Sequence, residues 1–263
     1  MVVAISASGS KPSLTHPGIA EPRGSSFLRY ASPTIVAILV DAAFFLKRAV
    51  HIYGRMEPDQ SARRLHSMAL SHLNDSQSGE RIARLYRILV YDAPPSTWKG
   101  HTPIAKRALD YSRTATAEWR LAFHSALRRQ RKVALRLGEI PANHARWQLK
   151  SGALKRITRD AGHAGQLTDD DFRLDLRQKG VDMRLGIDVA SLAYKQQVNT
   201  IVLVSGDADF VPAAKLARRE GIDFVLDPMW ATIRPDLSEH VDGIRSVCPK
   251  PGNSGRTEGS PDR

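Results

Sequence analysis

A chain of 263 residues, 42% of them hydrophobic, carries enough apolar material for one or two domains with a buried core. Its formal charge of +12 points to a polyanionic partner, of which nucleic acid is the simplest. The single cysteine, Cys248, excludes an internal disulfide and a thiolate zinc site, so the reducing cytoplasm is the expected compartment.

Residues 1–33 are rich in Ser, Pro, Gly and Ala without periodicity and read as a disordered tail, as do residues 248–263. The start lacks the charged-then-apolar pattern of a secretory leader. The longest apolar run, 35–46, is interrupted by Asp41 and is too short to span a bilayer, so no membrane partner is expected. The two tails hold only three cations each, partly offset by Glu21, Glu258 and Asp262. The positive charge therefore belongs to residues 34–247, the expected folded domain.

Within that domain, residues 35–40 form a continuous apolar run that ends at Asp41, the pattern of a buried strand. A helix is expected over 44–53, stopped by Gly54, and another from Pro58 onward with Leu65, Met68 and Leu73 at helical spacing. Residues 82–91 read as a strand closed by Asp92 and the Pro94–Pro95 pair. Residues 103–130 read as a basic helix, and the segment 103–137 as a helical insert. Short strands are expected at 133–137, 145–149 and 172–176. Residues 181–196 are apolar on most faces, which predicts a buried helix. The strand 200–204, a helix over 211–220 closed by Gly221, and the strand 222–226 complete the series.

Strands that alternate with helices, and that are continuously apolar, predict a mostly parallel sheet covered on both faces. Such a sheet puts its site at the carboxyl ends of the strands. Four expected strands run into an aspartate: Asp41, Asp92, Asp207 and Asp227. Asp41 also suits a helix N-cap, as does Asp182 at the start of the 181–196 helix. Asp92 and Asp227 stand beside prolines and read better as turn residues. Convergence would decide between caps and ligands, because carboxylates gathered at one rim raise one another's pKa and a divalent cation removes that cost.

The acid at the end of the first strand, KGVDMRLGIDV at 179–189, SGDADFVPAAKLARREG at 205–221 and VLDP at 225–228 together resemble the NYN domain of the PIN-like nuclease superfamily. The resemblance spans roughly residues 34–242. It implies a three-layer α/β/α sandwich with a mostly parallel central sheet, and metal-dependent ribonuclease activity with Mg²⁺ or Mn²⁺. It assigns Asp41, Asp182, Asp207 and Asp209 as catalytic and metal-binding residues, with Asp188 as a further candidate ligand. Ser205 matches the small hydroxyl residue before the acid pair. Ala42 and Phe44 depart from the Gly and Asn that many members carry after the first acid.

The partner so implied is RNA, single-stranded or structured, with a homodimer as one option for assembly. Lys179, three residues before Asp182, is a candidate phosphate contact and otherwise a solvated lysine. Arg128, Arg129, Arg131 and Lys132, with Arg136, form the densest basic cluster and are the candidate nucleic-acid contacts. The alternative on the same fold is an RNA-binding regulatory module that is catalytically weak or inactive, to which the Phe44 departure lends weight. No G-x-G-x-x-G follows a strand and no G-x-x-x-x-G-K-S/T occurs, which argues against a dinucleotide or P-loop enzyme.

Overall fold

The computed structural model describes residues 34–141, 145–176 and 178–252. The expected tail 1–33 and most of 248–263 lie outside the described residues. No helix among those described is long and apolar enough to cross a membrane.

The first strand, β1 (Thr34–Asp41), leads into α1 (Ala42–Tyr53) and α2 (Pro58–Ser71), and then into β2 (Ala83–Asp92). A short hairpin, β3 (Lys99–His101) with β4 (Ala108–Asp110), precedes α3 (Ala115–Arg128) and β5 (Val133–Leu137). Next come β6 (Arg146–Leu149), α4 (Ser151–Arg159) and β7 (Phe172–Asp175), with β6 and β7 paired antiparallel. The chain closes with α5 (Val181–Tyr194), β8 (Thr200–Val204), α6 (Val211–Arg219), β9 (Asp223–Asp227), α7 (Pro235–Ser238) and β10 (Gly243–Ile244).

Six strands form one sheet in the order β10-β9-β8-β1-β2-β5, and every neighbouring pair is parallel. The central strands are apolar throughout because both faces are covered: residues 36–40 of β1 and 201–204 of β8 are buried. On one face Ile38, Val40 and Val202 pack with Phe45 of α1, Leu65 of α2 and Phe123 and Leu127 of α3. On the other, Leu39, Ile201 and Leu203 pack with Leu185 and Val189 of α5 and Ala214 and Ala217 of α6. The result is the expected three-layer α/β/α arrangement.

From β1 the chain winds outward through β2 to β5 with helices on the first face. It then crosses back and winds from β8 through β9 to β10 with helices on the second. The direction reverses between β1 and β8. A doubly wound sheet opens a crevice at such a reversal, outside the carboxyl ends of the strands.

Three expectations need correction. The helix read over 103–130 begins only at Ala115, where the Thr114 side chain accepts a hydrogen bond from the Ala117 amide and caps it. Nor is 103–137 an appended helical insert. Phe123 and Leu127 of α3 are buried in the core, and β5 pairs with β2, so both are regular members of the sandwich. The true excursions are 93–114 and 138–180, which carry the two small ribbons. The helix α5, expected to be buried all round, exposes Met183, Ile187 and Tyr194, because it lies in an outer layer and only one of its faces meets the sheet.

The strands are parallel, so both excursions start at the carboxyl rim, after β2 and after β5. Both rejoin helices that begin there. The longer one is drawn together at its base: Glu139 and Lys179 exchange backbone hydrogen bonds of 3.0 and 2.8 Å. Beside them the Gly138 amide donates to the Asp92 carbonyl at 2.7 Å. A Cβ on Gly138 would come within 2.6 Å of the Lys179 carbonyl oxygen, so only glycine permits this approach.

Candidate active site

Asp41 is the last residue of β1, at the reversal point. It also caps α1: its Oδ1 accepts from the Phe44 amide at 3.1 Å. Burial pushes its carboxyl above the ordinary range, against the pull of the Phe44 and Ala43 amides, and the charges of Asp182 and Asp92 push it further. The cap and the rim position are the same feature, so the two sequence-level alternatives for this residue do not compete.

Asp182 lies in the first turn of α5, which starts at the same rim after Gly180, a residue in the left-handed conformation (φ 75°). Partial burial raises its carboxyl, and the charges of Asp207 and Asp209 raise it further. Asp207 follows the end of β8 and caps a short 3-10 turn over Ala208–Phe210, its Oδ1 accepting from the Asp209 amide at 3.0 Å. The Asp207 amide in turn donates to Oγ of Ser205 at 3.3 Å, and Ser205 is fully buried. Ser205 thus fixes the turn that presents Asp207, while Asp207 and Asp209 themselves face solvent.

These couplings link Asp41 to Asp182, and Asp182 to Asp207 and Asp209, within one electrostatic neighbourhood. Among the described residues, however, no three His, Cys, Asp or Glu side chains approach closely enough to hold an ion between them.

Asp188 does not join this group. One of its oxygens accepts from the Tyr91 hydroxyl at 2.9 Å and its carboxylate is paired with the Arg136 guanidinium at 2.9 Å. It ties α5 to β2 and β5, and both of its oxygens are engaged. Lys179 stands at the rim through its backbone bridge to Glu139, with its side chain exposed.

Asp92 and Asp227 are not simple turn residues. Asp92 is buried and accepts from Nε2 of His124 at 2.8 Å, from Arg120 at 2.7 and 3.0 Å and from the Ala93 amide. Burial alone would raise its carboxyl; the His124 hydrogen bond and the Arg120 charge outweigh that and hold it below the ordinary range. Asp227, also buried, accepts from Nε2 of His72 at 2.9 Å and from the Met229 amide at 2.7 Å. His124 is therefore a structural partner of Asp92. Its signal was a histidine on the buried face of a helix, between Phe123 and Leu127. A cavity of about 230 Å³, lined by Asp92, Ser96, Tyr111, Thr116, Arg120 and Gln178 among others, opens beside this network.

Phe44, in the place of the expected asparagine, lays its ring against the SGD turn: a Cβ built on Gly206 would lie 2.8 Å from the ring. The basic cluster of 128–132 is set apart from the acids. It occupies the turn from α3 to β5, and β5 is parallel to its neighbours, so this cluster lies at the amino rim. Arg129 is paired with Asp59 at 3.1 Å and Lys132 donates to the Leu85 carbonyl. Arg120 and Arg136 stand at the carboxyl rim, paired with Asp92 and Asp188, while Lys150, Lys155 and Arg159 belong to the excursion that leaves from it.

Of the tryptophans, Trp119 packs on Phe123 and donates to the Met56 carbonyl, and Trp98 meets Trp147 edge-on. Trp230 is 44% exposed.

Among known proteins, no curated one matches the chain. A solved structure of a protein of unknown function from Vibrio parahaemolyticus RIMD 2210633 aligns over 84% of this chain and 97% of its own, at 14% identity and a TM-score of 0.47. The family model of the NYN domain matches residues 125–237. That span holds Asp182, Ser205, Asp207 and Asp209 but not Asp41, and it is narrower than the 34–242 suggested by the motifs. Residues 125–237 are thus similar to the NYN domain, the family to which the KGVD and SGDADF motifs pointed.

Proposed function

We propose that this chain is a metal-dependent ribonuclease whose acids at the carboxyl rim, Asp41, Asp182, Asp207 and Asp209, serve hydrolysis of RNA phosphodiester bonds. The observation that carries this reading is the placement of Asp41 at the end of β1, Asp207 just past the end of β8 and Asp182 in the first turn of α5, all at the rim where the sheet reverses. Burial first, and acidic neighbours second, raise the carboxyls of Asp41 and Asp182. The donor set is all oxygen, which suits Mg²⁺ or Mn²⁺. Among the described residues no three acids stand close together, so one or two would bind such an ion directly and the rest would act through water. When bound, the ion would supply charge neutralisation at the phosphate and a more acidic water.

The chain's own residues do the positioning. Ser205 holds the Asp207 turn, Asp207 orders Asp209 through its amide, and Asp41 is fixed as the α1 cap. Lys179 offers a phosphate contact on the same rim, and the α4 cations offer others on the excursion that leaves from it. We place the work in the cytoplasm, in line with the lone cysteine, which is buried.

Asp207→Asn is expected to abolish Mn²⁺-dependent cleavage of single-stranded RNA by the purified protein while leaving its thermal melt in place. Cleavage at the wild-type rate by this variant overturns the proposal. The second reading, an RNA-binding module with weak or no turnover, is favoured by Phe44 covering Gly206. Calorimetric titration with Mn²⁺ separates the two: the nuclease reading expects saturable binding that Asp207→Asn weakens, the module expects none.

A further inference from the structure

The amino rim carries a second concavity. A pocket of about 270 Å³ lies between the end of α2, the start of β2 and the turn into β5. Its polar lining is all basic or imidazole: His66, Arg81, Arg84, Arg131 and Lys132, with no acid among the lining residues. Leu70 and Leu85 complete it, and Leu85 is buried, so the cations stand around an apolar floor.

The frame of the pocket is held by its own members. His66 donates through Nε2 to the Arg131 carbonyl at 3.1 Å, Lys132 donates to the Leu85 carbonyl, and Nε of Arg81 donates to the Ala83 carbonyl at 3.2 Å. Lys132 sits in the left-handed region at φ 61°, a conformation a lysine adopts only where its surroundings impose it. Arg84 and Arg131 make no ion pair with any described residue, and both are exposed. A solvated basic face would spread its charges; here they converge on one hollow.

We propose that this pocket is a phosphate-binding site that anchors a nucleic-acid strand on the rim opposite the acids. Arg84 pairs in register with Ile35, whereas Tyr91 pairs with Asp41. Six residues of β1, Ile35 to Asp41, separate the two levels, about 20 Å at 3.3 Å per residue. The pocket is therefore not part of the carboxyl-rim site. Its ligand chemistry is a phosphate group flanked by an apolar moiety. A polynucleotide is favoured over a small nucleotide because the cations continue beyond the hollow to Arg128 at the end of α3, and phosphates in series reward such a track. The proposal does not rest on the ribonuclease reading, since it concerns binding alone.

The test uses the full chain in EDTA, with a fluorescein-labelled single-stranded RNA of about 20 nucleotides read by anisotropy. The Arg84→Glu/Arg131→Glu variant should bind at least tenfold more weakly at low salt. The slope of log affinity against log salt should shrink by about 1.4, two phosphate contacts at about 0.7 each. The Arg84→Gln/Arg131→Gln variant should show the same direction with a smaller loss, which guards against a folding defect in the first. In a separate assay with Mn²⁺ in place of EDTA, cleavage of a trinucleotide by Arg84→Gln/Arg131→Gln should match wild-type cleavage.

Wild-type affinity and salt slope in both double variants overturn the proposal. So does displacement of the labelled strand by AMP or inorganic phosphate at micromolar concentration, which assigns the pocket to a small phosphate ligand. Loss of trinucleotide cleavage in step with strand binding also overturns it, because the cations would then serve the acidic rim.

Discussion

Two aspartates at the same rim are expected to respond to neutralisation with opposite sign. Asp182 has a raised carboxyl pKa, so its ionised form is less welcome in the folded state than in the unfolded chain. The stability it contributes is present below the unfolded value and lost as pH rises through the folded one. Asp182→Asn should therefore raise the melting temperature at pH 7, with the difference fading as pH falls into the carboxylate range. Asp92 has a lowered pKa, so its contribution is present above the unfolded value and lost as pH falls through the folded one. Asp92→Asn should cost about 1.5–3 kcal/mol at pH 7, the scale of a hydrogen bond to a charged group, and urea unfolding followed across pH should show the deficit vanish in acid. Equal signs for the two variants would contradict the electrostatics described above. At this scale the sequence made Asp41, Asp182 and the Asp207–Asp209 pair legible because each ends a strand or opens a helix. It hid the roles of Asp92 and Asp227, whose partners lie 32 and 155 residues away. It offered Asp188 as a further candidate ligand, because spacing along a helix does not reveal an arginine arriving from another strand.

At the level of elements, the turn from β8 to α6 and the start of α1 behave as one unit, since Phe44 rests on Gly206. Gly206→Ala forces the new methyl group against the ring, and real side chains essentially never meet at 2.8 Å. The variant should lose cleavage and some stability together. Truncating the ring in Phe44→Ala/Gly206→Ala should return part of the stability, a non-additivity that a double-mutant cycle in urea measures. Additive losses would mean that the ring and the turn are independent. Most elements were visible in the chain, down to the three short strands β5, β6 and β7, because strand length and apolar runs announce them. The misjudged stretch was 103–130, where basic, helix-compatible residues run on without a break and only the Thr114 cap marks the true beginning. The exposure of Met183, Ile187 and Tyr194 escaped for a related reason: an apolar helix in an outer layer has the same composition as one in the interior.

Across the whole molecule, the parallel sheet gives its two rims different charged groups. The chain entering β2 and β5 carries Arg81, Arg84, Arg131 and Lys132, while the carboxyl ends of β1 and β8 lead to Asp41 and Asp207. Composition alone could not reveal this, since it reports a net excess of cations and not their placement. The fold class followed from the alternation of apolar strands and helices; the location of the basic cluster depended on β5 joining the sheet in parallel, which its five residues do not declare.

The backbone clasp between Glu139 and Lys179 has a consequence for how this protein could diversify. A loop whose two ends already touch can be shortened, lengthened or exchanged without asking the strands to move. In this loop Trp147 and Asp169 reach the neighbouring excursion at Trp98, His101 and Ile104. Splicing a brief Gly-Ser link between the two residues should leave a protein that still unfolds in a single cooperative step, stripped of whatever selectivity the ornament confers. Homologues would then be expected to vary most in this detachable piece, and least in the scaffold from which it hangs.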